Sequence, residues 1–332
     1  MKLSILDQSP ISSGKSAQEA LQASMELARE GEKLGYKRYW IAEHHNFSGL
    51  SCSAPEVMLS YIGANTKKIR LGAGAVLLPH YKPYRVAETY NMLATLFPGR
   101  IDLGIGRAPG GSAEASIALS ENFLENVRKV PQSIKQLLHF LRNDFPKDDM
   151  FSKIQAAPVP EISPVPWILG TSQKSADLAA EFGIAYAFGH FMSDKPGSEI
   201  VRSYQKVFQP NSSLKTAKTI VAVSVICAET TERAEELALP GILWRKQNAS
   251  GEGRGVPTIE EAHQCFSIEE REQFIHEAKR KMIIGNPQEV KRELYRLQEM
   301  YQADEMMIVT ITHSYDDRLK SYELVGEHVR SI

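Results

Sequence analysis

Short apolar runs alternate with helical stripes along the whole chain, and this rhythm limits the fold more than any other feature. The runs fall at residues 3–6, 36–42, 69–77, 101–106, 165–169, 184–188, 219–228 and 305–311. Each has strand length and is rich in aliphatic residues. Helical patterns fall at 16–33, 55–64, 85–97, 123–141, 174–182, 195–208, 269–282, 288–300 and 315–329. In the first of these, Ala20, Leu21, Ser24, Leu27, Ala28 and Leu34 mark one face, and Gly35 stops the helix. Eight strands alternating with helices predict an α/β (β/α)8 TIM barrel, which needs roughly 250 residues and tolerates insertions. A doubly wound sheet shares the alternation but wants a glycine fingerprint after its first strand. Leu6-Asp7-Gln8-Ser9-Pro10 has none. With 332 residues, no internal repeat and no low-complexity linker, a single domain over 1–332 is expected. It carries an insertion after strand 4 (112–157) and a long loop after strand 7. That loop, 240–265, holds four glycines between Gly241 and Gly255 and reads as a mobile lid.

In such a barrel the carboxyl ends of the strands form the active-site face. Four of these ends are unusual. The second strand runs into Glu43-His44-His45. A histidine there suits a hydrogen-bond partner or general acid/base, its ordinary pKa being about 6.5; one of the pair is read as structural. The third strand carries Gly72-Ala73-Gly74-Ala75. These residues either let something flat approach the backbone or simply allow close strand packing. The fourth ends in Gly106-Arg107, an arginine able to grip a phosphate or to form a surface salt bridge. Gly104-Ile105-Gly106 imitates a dinucleotide turn but fails where Pro109 replaces the third glycine. The fifth passes through Thr171 and Ser172 into a helix that includes Ser175, either an anion site or an ordinary N-cap. His190 follows the sixth strand and is expected at the same mouth. The convergence points to an enzyme with a bound cofactor.

Composition removes other classes. The net charge of −1 and the lack of a Lys/Arg run give no support for nucleic acid. No stretch reaches 18 apolar residues, so no membrane span is expected, and MKLSILDQSP is too short and polar for a signal peptide. Cys52, Cys227 and Cys265 are scattered and form no CxxC, which suits a reducing cytoplasm. Adjacent histidines point to opposite faces of an extended chain, and no HExxH accompanies them, so no metal site is expected.

Taken together and in order, these segments resemble the bacterial luciferase-like flavin monooxygenase family, in a non-luminescent member. Glu43-His44-His45, the stretch from Gly72 through Leu78-Pro79 to Pro83 and Arg85, Leu103-Gly104-Ile105-Gly106-Arg107, Thr171-Ser172 with Ser175, and Arg318-Leu319-Lys320-Ser321-Tyr322 carry the likeness. The resemblance implies a cytoplasmic, dimeric barrel that binds reduced FMN delivered by a separate flavin reductase. Such an enzyme uses O2, through a flavin C4a-peroxide, to oxidise a small organic substrate. Arg107, Thr171, Ser172 and Ser175 would hold the phosphate and Gly74 and Ala75 the ring, across a cis peptide bond between them. His190 would border the cofactor, and His44 would serve as the catalytic acid/base. Where light-emitting members have a reactive cysteine, Gly106 stands here. A deazaflavin-dependent oxidoreductase and a non-catalytic flavin-binding protein remain as alternatives, and the substrate is not legible.

Overall fold

The computed structural model describes residues 1–329. In chain order its elements are β1 (Leu3–Asp7), α1 (Ala17–Lys33), β2 (Arg38–Ile41), α2 (Pro55–Asn65), β3 (Arg70–Leu77), α3 (Pro83–Leu96), β4 (Ile101–Gly106), α4 (Ala113–Leu119), α5 (Phe123–Arg128), α6 (Val130–Arg142) and β5 (Val165–Gly170). They continue with α7 (Gln173–Glu181), β6 (Ala185–Gly189), α8 (Gly197–Val207), β7 (Thr219–Cys227), α9 (Thr231–Ala249), α10 (Ile259–Cys265), α11 (Ile268–Ala278), β8 (Met282–Gly285), α12 (Pro287–Tyr301), β9 (Glu305–Val309) and α13 (Tyr315–Val329). All pairings between these strands are parallel. β1 through β7 and β9 close a ring, with β9 joining β7 back to β1. This is the (β/α)8 barrel that the alternation predicts.

Three expectations need correction. A ninth strand, β8, lies outside the ring and pairs with the far half of β7, Ser224 opposite Met282 through Cys227 opposite Gly285. The helix expected over 269–282 ends instead at Ala278. A four-residue strand is too short to show a period, so it forms only through the neighbour it finds in space. The helix expected over 123–141 is two helices. Pro131 sits in the first turn of α6, and a proline there clashes with the turn before it, so Lys129 leaves the helical region (ψ 0°).

The long loop expected over 240–265 is mostly helix. α9 is capped by the Thr230 side chain and runs through Pro240 because Leu237, Ala238, Ile242, Leu243 and Trp244 are all buried. Packing on both sides outweighs the roughly 3 kcal/mol that proline costs inside a helix. The remaining loop is tied down. Val256 exchanges main-chain hydrogen bonds with Ile11 and Ser13, Gly253 accepts from the Ser48 hydroxyl, and the Trp244 indole donates to the Arg254 carbonyl at 2.9 Å.

Alternation along the strands sorts the barrel interior into layers. At the amino-terminal end Ser4, Arg38, Asp102 and Glu305 are buried together. Arg38 donates to Glu305 at 2.7 Å and to Asp102 at 2.6 Å. Two residues further along β2 comes Trp40, edge-on to Trp167 with ring centroids 5.5 Å apart, amid Leu6, Ala185, Ile220 and Met307. Gly72 lies against this ring, its absent Cβ 2.7 Å from Trp40 atoms. Beyond the tryptophans the inward positions turn small, and the barrel opens.

Candidate active site

The opening is a cavity of about 460 Å³ at the carboxyl ends of the strands. Leu6, Trp40 and Met307 form its base, Gly74, Ala75 and Gly106 one wall, and Gly189, Phe191 and Met192 another. Its size and its mostly apolar lining, with a few convergent polar groups, suit a small-molecule or cofactor site. The β3 wall is irregular. The β3–β4 register shifts between Ala73 and Val76, and the Gly74–Ala75 peptide is cis, as the resemblance implied. The small-residue patch packs closely and also lines the cavity. A Cβ on Gly74 would lie 2.7 Å from Leu6, and one on Gly106 would lie 3.0 Å from the Ala75 side chain. The strands therefore pack closely, and the same small residues leave the wall open to a ligand.

One rim is an anion cradle. β4 delivers Arg107 to the edge, and β5 runs through Gly170 and Thr171 into α7, whose N-cap is Ser172. The Arg107 guanidinium donates to the Ser172 hydroxyl at 3.1 Å. The Arg107 guanidinium and the Ser172 hydroxyl thus meet at the N-terminus of α7, where the helix dipole favours an anion. Ser175 stands behind this point rather than on it. It completes a capping box with Ser172, and its hydroxyl donates to the Ser172 carbonyl at 2.7 Å and meets the Tyr186 hydroxyl at 3.1 Å.

The opposite rim is built by the end of β2. The buried Glu43 carboxylate accepts from the Leu77 amide (3.1 Å) and the Tyr81 hydroxyl (2.7 Å), and it lies 2.8 Å from His45 Nε2. Glu43 therefore ties β2 to the chain just past Gly74–Ala75. His45, fixed by this contact and by its amide bonding to Gly110, is the structural member of the pair. His44 lines the cavity, and among the described residues its buried Nδ1 has no hydrogen-bond partner. Burial pushes its pKa down to about 4, against a smaller opposing pull from Glu43. His44 is accordingly a neutral imidazole at pH 7.

Of the residues singled out from sequence, His44, Gly74, Ala75, Arg107, Thr171 and Ser172 line one cavity. Ser175 supports it from behind, and His190 is not brought into it. The His190 ring turns away, its Nδ1 2.8 Å from the Tyr301 hydroxyl, while the next two residues, Phe191 and Met192, face the cavity. A short 3-10 turn over His190–Met192 makes this swap, which position after a strand cannot reveal. Gln8 and Met307 were missed. Gln8 is a polar residue just beyond apolar β1, and Met307 follows inward-facing Glu305 by two, so the strand period was their one signal. Among the described residues no cluster of three or more His, Cys, Asp or Glu gathers to hold a metal ion.

An eight-stranded α/β barrel with a cofactor-sized apolar cavity and an anion cradle on its rim belongs to the class of barrel enzymes that act at the strand carboxyl ends. The particular family is equally plain. Residues 1–303 match the family model of the luciferase-like monooxygenases, and the chain belongs to that family. It is a flavin-dependent oxidoreductase of the monooxygenase type. It is 43% identical over 330 residues to the uncharacterized protein YwcH of Bacillus subtilis (strain 168), covering 98% of each chain. It is 35% identical over 333 residues to the N-acetyl-S-alkylcysteine monooxygenase of the same organism, covering 99% of this chain and 98% of that one. Apo-MsnO8 superposes with a TM-score of 0.86 at 32% identity, over 99% of this chain and 97% of that one. The fold alone is shared with the FMN complex of the oxygenating component of 3,6-diketocamphane monooxygenase from Pseudomonas putida (TM-score 0.72, 19% identity, 99% and 97% covered). The same holds for an F420-dependent secondary alcohol dehydrogenase (0.69, 13%, 99% and 99%).

Proposed function

We propose that this chain is the oxygenating component of a two-component FMN-dependent monooxygenase, taking reduced FMN from a separate reductase and inserting one atom of O2 into a small organic substrate. The observation that carries the reading is the Arg107–Ser172 contact at the N-terminus of α7, on the rim of an apolar cavity of cofactor size. The residues present fit FMN. Arg107, Thr171, Ser172 and the α7 amides match a phosphate dianion, with Ser175 holding Ser172 in place. Gly74 and Ala75 offer a flat wall for a ring, and His44 lines the same cavity. Bound reduced flavin supplies two electrons and activates O2, so that one oxygen atom enters the substrate and the other leaves as water.

The protein's own groups bind, orient and exclude water. Neutral His44 accepts or returns a proton at its ring nitrogen, and the apolar base of Trp40, Leu6 and Met307 keeps bulk water from the reacting centre. Under this reading the partners are the reductase, met transiently, and a small-molecule substrate. The setting is the cytoplasm, in keeping with three free cysteines, and among the described residues no helix is long and apolar enough to cross a membrane. We place a homodimer contact on the apolar stripe of α2 and α3, where Val57, Tyr61, Met92 and Leu96 are 64%, 44%, 49% and 56% exposed.

FMN and deazaflavin F420 titrations, read by fluorescence, test the cofactor. Tight FMN binding and weak deazaflavin binding are expected; the reverse overturns the reading in favour of hydride transfer. Oxygen uptake with an NADH-fed flavin reductase then tests the reaction. N-acetyl-S-alkylcysteines are the first substrates to try, given the 35% identical relative that bears their name. Peroxide release without product for every substrate offered would favour a flavin-binding protein without turnover.

A further inference from the structure

Behind the turn that carries Phe191 and Met192 into the active-site cavity lies a separate groove of about 260 Å³. Its apolar lining includes Ile283 and Leu297, which share one core cluster. Its walls are cationic. Lys279, Arg280, Lys281, Arg292 and Arg296 line it against two carboxylates, Glu289 and Glu293, an excess of three positive charges. The carboxylates do not cancel these charges. Glu289 is committed to the start of α12, accepting from the Thr231 hydroxyl at 2.6 Å and the Asn286 amide at 3.1 Å. Glu293 serves Arg296 at 2.8 Å and reaches Arg292 only at 3.8 Å. Lys279 and Lys281 lean outward to Glu235 and Asp194, in solvent-exposed ion pairs of small worth that an incoming dianion can displace. Among the described residues Arg280 has no ion pair.

Two further features set the groove beside regular structure. Residues 281–284 line it consecutively and include most of β8, the edge strand of the sheet. His190 closes the inner end. Its Nδ1 is occupied by Tyr301, and Arg296 and Lys281 both bear on the ring. A phosphate monoester, with two negative charges, several acceptor oxygens and a small body to lie on the apolar lining, matches this set better than a single carboxylate.

We propose that the groove between β8, α12 and the His190 turn is a second anion site, distinct from the cavity, that binds a phosphate monoester of small-molecule size.

The test uses the full chain carrying Arg107→Ala, which removes the rim cradle as a competing anion site. Inorganic phosphate and glycerol 3-phosphate are titrated while the His190 ring signal is followed by NMR, assigned by its loss in His190→Gln. A saturable shift is expected, with the ester binding more tightly than phosphate. Arg292→Gln with Arg296→Gln should weaken it by about tenfold or more, the scale of a lost charge-assisted contact. Both arginines are exposed (side chains 70% and 58%), so the fold should survive, and circular dichroism checks that it does. A shift that never saturates, or one unchanged in the double variant, overturns the proposal. Saturation by a poly-glutamate peptide but not by glycerol 3-phosphate also overturns it and marks the groove as a contact for an acidic protein. None of these readings needs flavin or turnover, so failure of the FMN assignment would be seen separately.

Discussion

Arg107 and His44 divide the site between charge and proton. Arg107 is exposed and reaches only the Ser172 hydroxyl, so its positive charge is free for a ligand. Arg107→Ala should weaken FMN binding by about 1.5–3 kcal/mol, the worth of a hydrogen bond to a charged group, and leave riboflavin nearly unaffected. Equal losses for both flavins, measured by fluorescence titration, would refute a phosphate contact. His44→Ala should keep FMN affinity and lower turnover by about 10²–10⁴. The pH dependence has a definite sign. With a folded pKa of about 4 against 6.5 unfolded, the unfolded chain binds the extra proton between those values. Stability should therefore rise as pH climbs from 4 to 6.5 and then level off, by an amount on the order of 3 kcal/mol that His44→Ala removes. Urea unfolding of both proteins at pH 4.5 and 7 measures this, and equal slopes would contradict a buried neutral imidazole. In kcat/KM the acid limb due to His44 should likewise fall near pH 4.

The informative elements are β3 and the segment from β7 to β8. β3 gives up regular register at Gly74–Ala75, and Glu43 holds the strand just beyond, at the Leu77 amide. The irregular wall is thus anchored by a carboxylate on the neighbouring strand. Ala75 lines the cavity, with Gly106 packed closely beside it. Ala75→Phe should fill that space, abolish FMN binding and leave the unfolding midpoint within a few degrees of the parent. A variant that fails to fold while Ala75→Ser folds normally would mean that the position serves packing alone. The β7–β8 segment carries its own small core of Leu237, Leu243, Phe266, Ile275 and Ile284. This core makes helices of what reads as a glycine-rich loop, because burial supplies stability that local propensity lacks.

At the scale of the molecule, the barrel separates support from chemistry along its axis. Charged side chains lock the amino-terminal end, two tryptophans plug the middle, and small residues open the other end into the cavity. The outer surface carries exposed apolar side chains at several places, among them the α2–α3 stripe of Val57, Tyr61, Met92 and Leu96. If that stripe is the dimer contact, Met92→Glu should yield a folded monomer in sedimentation velocity while FMN still binds. A parent protein that is monomeric at every concentration would dismiss the contact.

The order of strands and helices, the barrel and the active-site end were legible from the chain alone, because each depends on short-range periodicity and on the chemistry of strand ends. Arg107, Ser172 and His44 were legible for the same reason, being unusual residues at the ends of regular elements. Tertiary structure alone decided the rest. A single turn of backbone sent His190 toward Tyr301 and Phe191 toward the cavity, a choice made by packing across 111 residues of separation. β8 became a strand because β7 extends past the barrel and has an edge to pair. α9 stayed helical through Pro240 because its middle, from Leu237 to Trp244, is buried on either side of the proline. In each case the deciding energy comes from partners distant in sequence, and a local pattern cannot carry it.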